Sequence, residues 1–431
     1  IWILIPMMVD GLSALVHTSY AIFKRVRIRR NCEDNDFSLN YYPLVSVLVP
    51  VHNSASTLYE CLESIAAQTY PWQRLEVLLI DNGTTDNSFD VFNQFTGRYP
   101  RLRCRWVSFK QSGKSRALNA GICMGKGQYI VTVDSDSYLV PEAITETIKA
   151  FSRDVQLVGT TGVILINHDK IEKSRSALRL MQICEAFEYI EAFYIARSFQ
   201  SRFNTLFTMA GAFSGFRRLA LLKTFLYDNR TVSEDTKLTF DLRMQNPGKN
   251  RLIMVEKSVA LVAPINSLQH LYSQRLRWQR GQLEVAAYFK EQNSVSIFRL
   301  LSSFPSRTLF ADHTLAFPRM AWFFLIPLLF FMGYPLTLVL GANLIIYLLY
   351  VIIDLIYILI ALAYLKLDYR QFVRKNFWIV IVLPLYRFIV YWCRLAGIIT
   401  AVTVHGEWDS SGPITQTRQA FNDLVTRMRF K

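Results

Sequence analysis

The sequence predicts an α/β domain built on a largely parallel sheet and carried between apolar helices at the two ends of the chain. Three observations lead there. A chain of 431 residues that is 52% hydrophobic and 19% charged has more apolar surface than one soluble domain can bury, and the excess sits at the ends. The middle alternates short β-branched runs with segments of helical spacing, the pattern of βαβ units. Two of those runs finish on an aspartate, and in open α/β sheets ligands bind beyond the carboxyl ends of the strands.

Taken in order, Ile1 to Phe23 holds one acid, Asp10, and is followed at once by Lys24-Arg25-Val26-Arg27-Ile28-Arg29-Arg30. A secretory signal carries its charge before the apolar run. Residues 1–23 are therefore expected to span a membrane, with a basic linker over 24–43 on the cytoplasmic side. Leu44 to Pro50, Glu76 to Asp81 and Gln128 to Asp134 read as buried strands, with helices over Ala55 to Gln68 and Ser115 to Met124 and right-handed crossovers between. Asp81 and Asp134 should then face one cleft of a catalytic domain running from 44 to 255. Residues 256–316 read as interfacial helices and 317–404 as membrane helices. Within the latter, Met320 to Leu340 and Leu344 to Leu365 each offer about 20 apolar residues, enough for a hydrocarbon core of about 30 Å. Lys366, Arg370, Arg374 and Lys375 mark the next loop as cytoplasmic. Phe377 to Val404 contains Pro384, Arg387 and Arg394 and reads as either a third span or an interfacial helix, before a tail over 405–431. Seven residues apart, the two arginines share nearly one face, where they either line a polymer exit path or snorkel to headgroups.

The net charge of +15 invites a nucleic-acid partner. Much of it lies beside apolar spans, where anionic membrane lipids explain it, and no nucleic-acid motif is present. Six cysteines at 32, 61, 104, 123, 184 and 393 show no metal-ligand spacing and fit a reduced, cytoplasmic domain.

Four segments carry chemistry. In Asp134-Ser135-Asp136 the two carboxylates straddle one residue at a strand end, so both can help bind a hard divalent cation, Mg2+ or Mn2+, whose other sites go to phosphate oxygens. Ordinary turn composition is the bland alternative. Ser233-Glu234-Asp235 is what a helix start prefers, with Ser233 as cap, and a carboxylate there can also be poised to take a proton. In Gln274-Arg275-Leu276-Arg277-Trp278 the indole can stack on a sugar while Arg277 and Gln274 offer donors to pyrophosphate; an amphipathic helix on the membrane surface is the alternative. Gly113-Lys114-Ser115 mimics the end of a P-loop, but Ser108 replaces its first glycine, which argues against an ATPase.

Together these segments resemble the D-x-D, T-E-D and Q-x-x-R-W pattern of processive family 2 membrane glycosyltransferases, the synthases of hyaluronan, chitin, cellulose and poly-N-acetylglucosamine. Serine replaces the threonine of T-E-D, and Gln274 falls 39 residues after Asp235 as in that family. A weaker likeness is to a Gram-positive group associated with exosortase systems. The resemblance implies a GT-A nucleotide-sugar-binding domain with a Rossmann-like mixed sheet, an inverting UDP-sugar donor reaction, and elongation and translocation of an extracellular polysaccharide by a multi-pass protein of the bacterial plasma membrane, with room for accessory export proteins. It implies Asp235 as general base with Glu234 beside it, Asp136 as metal ligand, and Asp134 on the ribose or donor sugar. Lys110 to Asn119 resembles K-x-G-K-x-x-A-L-N and places Lys114 near the diphosphate, and Asp81-Asn82-Gly83-Thr84-Thr85-Asp86 resembles D-D-G-S-T-D and leaves Asp81 for the uracil ring. Asp86 is better read as the cap of the next helix. Met209 to Arg218 resembles the small-residue segment that makes room for the acceptor at Gly211, or is a tight loop, and Trp278 would hold the growing end. Two rivals remain at this point: a non-processive transferase making a glycolipid, and a transporter or scaffold with an inactive transferase domain.

Overall fold

The computed structural model describes residues 4–30, 38–108, 113–173, 176–228, 232–246, 248–293 and 325–403. Two compact units share the chain: residues 34–167 with 200–263, and residues 1–33 with 168–199 and 264–431.

The first unit is an eight-stranded mixed sheet in the order β3-β2-β1-β4-β7-β6-β8-β5. The strands are β1 (Val45–Val51), β2 (Leu75–Asp81), β3 (Arg103–Ser108), β4 (Tyr129–Val133), β5 (Ser137–Leu139), β6 (Leu157–Ile166), β7 (Phe213–Arg217) and β8 (Arg251–Val262). All three expected strands are present within a residue or two of their expected ends. β1 and β4 are buried along their whole length, which is why their sequences run apolar without alternating. β1 pairs in parallel with β2 on one side and β4 on the other, so the chain reverses its direction of travel across the sheet between β1 and β4. That reversal opens a crevice at the carboxyl ends of the strands. β4 meets β7 antiparallel and β8 meets β5 antiparallel, making the sheet mixed.

Helices α2 (Leu58–Ala66), α3 (Ser88–Arg98), α4 (Lys114–Met124), α5 (Ala143–Arg153) and α9 (Glu234–Gln245) belong to this unit, with the short α8 (Arg218–Leu221). Ala117, Leu118 and Ile122 of α4 and Leu238 and Leu242 of α9 share one core with Leu48, Leu78, Ile80 and Ile130 of the strands. At about 25 cal/mol per Å² of apolar surface removed from water, this cluster fixes both helices on the sheet. The starts of α4 and α9 hold Lys114 and Glu234-Asp235, so burying those leucines and isoleucines is also what places the polar residues at their ends.

The second unit is helical. It contains α1 (Leu4–Arg30), α6 (Ala177–Tyr189), a π-helical stretch Ile190–Ala196 that runs into α7 (Arg197–Arg202, of which 197–199 belong to this unit), α10 (Leu268–Asn293), α11 (Leu336–Tyr364), α12 (Leu367–Lys375) and α13 (Leu383–Thr403). Among the described residues one helix, α11, is long and apolar enough to cross a membrane; Ala14–Phe23 is a shorter apolar stretch inside α1. The continuous span expected over Met320 to Leu340 is corrected. A helical segment over 325–331 stops where Gly333 takes φ +90°, and the Tyr334 N–H reaches back to the Leu329 carbonyl. α11 then restarts behind Pro335, which cannot donate to the previous turn. Residues 320–324 and the tail over 405–431 lie outside the described residues. His17 Nδ1 meets the Tyr357 hydroxyl at 3.0 Å, and Tyr364 donates to the Ala21 carbonyl, so α1 and α11 pack in parallel. α10 lies along α13 at Gly397, where a Cβ would come within 3.0 Å of the Leu276 carbonyl.

Candidate active site

Asp134 follows directly on β4, and its N–H donates to the Ala212 carbonyl at 3.2 Å, next to β7. Its Oδ1 lies 2.6 Å from Lys114 Nζ. Gly211 marks where these groups converge with α9. A Cβ built there would sit 3.3 Å from Lys114 Nζ, 3.7 Å from Asp235 Oδ2 and 3.8 Å from Asp134 Oδ2. Lys114, Asp134, Gly211 and Asp235 thus surround one small volume, and glycine leaves that volume open.

The segment before Gly211 is held from both sides. Met209 N–H donates to Thr239 Oγ1 of α9 at 3.0 Å, and Ala210 N–H donates to Thr161 Oγ1 of β6 at 3.1 Å. Neither threonine was singled out from the sequence. A hydroxyl spacing of this kind gives no signal until the strands and helix are placed.

Electrostatically the cluster is a cation among acids. Burial pulls the Lys114 ammonium down, but the carboxylates of Asp134, Glu234 and Asp235 outweigh it and raise its pKa above the ordinary lysine value. Burial, with Asp235 and Asp134 adding to it against Lys114, pushes Glu234 up to about 7. Asp136 is also raised, first by the protein crowding its carboxyl and then by repulsion from Asp134, although the residue as a whole is exposed. Asp235 Oδ1 accepts from Thr236 N–H at 2.7 Å, which leaves Oδ2 on the Gly211 side. The expected capping hydroxyl is corrected: Ser233 occupies the N-cap position of α9 with φ −113° and ψ 74°, and its side chain makes no cap bond. A first-turn N–H group, that of Thr236, is taken by Asp235 instead.

The D-x-D pair offers only oxygen donors. Asp136 Oδ1 accepts from Ser137 Oγ at 3.4 Å, while Ser135 between the two acids is bonded to Ser54 Oγ at 2.7 Å. Among the described residues no group of three or more His, Cys, Asp or Glu is arranged to hold a metal. This donor set fits a hard divalent cation that takes its remaining ligands from phosphate and water.

Asp81 closes β2 and its Oδ1 accepts from Thr84 N–H at 2.8 Å, so it braces the turn through Gly83, where φ is +78°. Asn82, which replaces an acid of the resembled pattern, accepts from Gly113 N–H through its side-chain oxygen and ties this turn to the start of α4, one residue before Lys114. Asn87 occupies the N-cap of α3, and Asp86, expected there, stands one residue earlier, where it accepts from Ser88 N–H at 3.0 Å and from Ala55 N–H at 2.9 Å.

Gln274, Arg277 and Trp278 lie on α10 in the helical unit. Arg277 is exposed, while Gln274 and Trp278 are half-buried. The residue that the sequence reading passed over, Arg275, is 1% exposed and pairs with Glu188 at 2.6 Å. Arg387 is corrected too. It is bound by Glu191 and by Asp354 and buried among them, so it is neither a free donor to a passing polymer nor a snorkelling surface group. Glu191 carries no local signal for this pairing, since with Glu185 and Glu188 it recurs every three residues, a spacing that suits a solvated helix face equally well.

Residues 46–225 match the model of the Glycosyl transferase family 2. The hyaluronan synthase of Pasteurella multocida is 30% identical over 238 residues, which covers 52% of this chain and 24% of that protein. The poly-beta-1,6-N-acetyl-D-glucosamine synthase of Staphylococcus epidermidis is 24% identical over 242 residues, covering 56% of this chain and 55% of that one. The probable glycosyltransferase YdaM of Bacillus subtilis is 26% identical over 276 residues, covering 62% and 63%. The chain thus spans a quarter to somewhat under two thirds of these curated relatives. In fold it is similar to the mannosyltransferase PcManGT of Pyrobaculum calidifontis, solved with GDP-Man and Mn2+, at a TM-score of 0.54 and 16% identity over 94% of this chain and all of that one. Residues 46–225 thus carry a family 2 glycosyltransferase domain, and Asp81, Lys114, Asp134, Asp136 and Gly211 fall inside them.

Proposed function

We propose that this glycosyltransferase domain uses a UDP-sugar to elongate a polysaccharide by an inverting reaction, and that the protein is a multi-pass component of the bacterial plasma membrane with its catalytic unit on the cytoplasmic side. The observation that carries the reading is the convergence of Lys114, Asp134 and Asp235 on the open volume at Gly211. The similarity to a hyaluronan synthase and a poly-beta-1,6-N-acetyl-D-glucosamine synthase, each over more than half of this chain, supports the choice of polymer synthesis.

In this mechanism Asp235 Oδ2 accepts the proton of the acceptor hydroxyl as its oxygen attacks the anomeric carbon. The bond from that carbon to the diphosphate breaks, and its electron pair leaves with UDP. This single displacement at the anomeric carbon, with the carboxylate taking only the proton, inverts that centre. The Lys114 ammonium, kept protonated by three acids, offsets the charge that builds on the leaving diphosphate. Asp136, with Asp134 behind it, would hold Mg2+ or Mn2+, which when bound supplies Lewis-acid charge neutralisation at the diphosphate. Asp81 would take the uracil ring and Trp278 the growing end.

The test incubates membranes holding the full chain with a panel of UDP-sugars and reads UDP release and product length. Long polymer from one or two donors is expected. A short glycolipid would overturn polymer elongation, and no UDP release from any donor would overturn the reading as a whole.

A further inference from the structure

We infer that Arg275, which the Q-x-x-R-W pattern leaves unspecified, is a positioning residue for the acceptor site, with its guanidinium pinned by Glu188 and serving as the floor on which the Trp278 indole is held. The inference rests on the proposed role of Trp278 and deepens it.

A buried guanidinium is tolerated only where its charge is met, and here it is met on two sides. At its edge, Nη2 donates to Glu188 Oε2 at 2.6 Å. The same oxygen accepts from the Tyr386 hydroxyl of α13 at 3.1 Å, so the acid is itself fixed in place. The guanidinium carbon also lies over the Trp278 ring, 4.4 Å from its centroid, and over that of Tyr189 at 5.8 Å. Arg275 and Trp278 are three residues apart on α10 and therefore stand on one side of the helix. The indole is confined laterally as well, by Phe193 edge-on at 5.9 Å and by Tyr189 at 6.2 Å.

Those walls share one source. Glu188 and Tyr189 end α6, and Phe193 lies in the π-helical stretch that follows. A π turn resets the rotation of the residues after it, and such turns concentrate at functional sites. Phe193 is thereby brought to the same face of α10 that Glu188 and Tyr189 meet from the end of α6. Lysine could supply the charge but not the flat surface that lies against an indole. By contrast Arg277, the arginine that the motif does specify, is exposed. The two arginines of this segment thus divide the work, one outward towards ligand and one inward beneath the tryptophan.

The experiment compares Trp278→Ala, Arg275→Met, Arg275→Lys and the double variant Arg275→Met/Trp278→Ala in membranes holding the full chain. UDP-sugar hydrolysis and transfer to an oligosaccharide acceptor are measured separately. Arg275→Met is expected to raise the acceptor KM by about tenfold or more, the loss of roughly one stacking interaction, while hydrolysis persists. Arg275→Lys should fall between it and wild type. In the double variant the loss should be no larger than in Trp278→Ala alone, because the arginine acts through the indole. An unchanged acceptor KM in Arg275→Met, additive losses in the double variant, or hydrolysis lost together with transfer would each overturn the inference. Glu188→Gln provides a milder second probe, expected to move acceptor KM in the same direction, and no movement there counts against the pinning. If wild-type membranes release no UDP at all, the glycosyltransferase reading fails first. If Trp278→Ala loses transfer and Arg275→Met does not, only the present inference fails.

Discussion

Lys114 and Arg387 each stand among acidic side chains, yet the two sites are built for opposite ends. The Lys114 side chain is 35% exposed and its partner Asp134 26%. The Arg387 side chain is 9% exposed, with Glu191 at 8% and Asp354 at 1%. In the first case water and ligand can reach the pair, so a diphosphate can compete for the ammonium and a metal for the carboxylate. In the second nothing from solvent can enter, and the charges serve to fix α11, α13 and the π-helical stretch against one another. Exposure, rather than charge, separates a site that acts from one that holds.

The largest expected effect breaks the acting site while leaving its charges nearly in place. Asp235→Asn keeps the size of the side chain and its bond from Thr236 N–H but cannot accept a proton. Sugar transfer should fall by about 10²- to 10⁴-fold, whereas UDP binding, measured by calorimetry in the presence of Mn2+, should change little. Transfer at the wild-type rate would remove Asp235 from the role of base.

Next in size is the holding site. Arg387→Leu leaves Glu191 and Asp354 buried without their cation, a change that typically costs about 3–5 kcal/mol. Thermal unfolding of the detergent-solubilised protein should show it, together with lowered yield. Replacing all three residues by leucine should recover part of the loss, because the two carboxylates stranded by the single change are removed with it. If the single variant unfolds like wild type, the comparison fails, since the buried network would not be what holds those helices.

The same contrast governs what could be read from the sequence. The strand ends of the proposed acting site were legible: β2 and β4 are apolar almost to their ends and are closed by Asp81 and followed by Asp134, and local spacing is enough to see that. The pair Glu234-Asp235 likewise announced itself as a helix start. The holding site was opaque. Glu188 and Arg275 are 87 residues apart, and Glu191 and Arg387 are 196 apart, so no local pattern links them. A π-helical stretch also breaks the 3.6-residue period on which face assignments depend. The break at Gly333 and Pro335 could have been taken from the residues themselves, since a glycine and a proline two apart end one helix and start another. Ser233 shows the reverse limit, because a residue ideal for capping can occupy the cap position without its hydroxyl making the bond.

The smallest expected effect lies in pH dependence and sharpens the comparison at Glu234. Its carboxyl is pushed from 4.5 up to about 7, chiefly by burial, with Asp235 and Asp134 adding to it and Lys114 opposing. A carboxyl raised on folding binds its proton more tightly in the native state. Its contribution to stability is therefore fully present below pH 4.5 and lost as pH rises through 7. Over the same interval the ionising Glu234 places a second negative charge beside Asp235, which strengthens that residue as a base. The transfer rate at saturating substrate should accordingly climb through pH 7. Glu234→Gln should flatten both the climb and the stability slope between 4.5 and 7, with an effect of about a few-fold on rate, within the usual range for one neighbouring charge. Arg387→Leu should leave the shape of the rate profile as it is, because its charges are buried with one another in the helical unit. A profile in Glu234→Gln that still climbs like wild type would show that another group sets the pH dependence, and would detach Glu234 from the acting site.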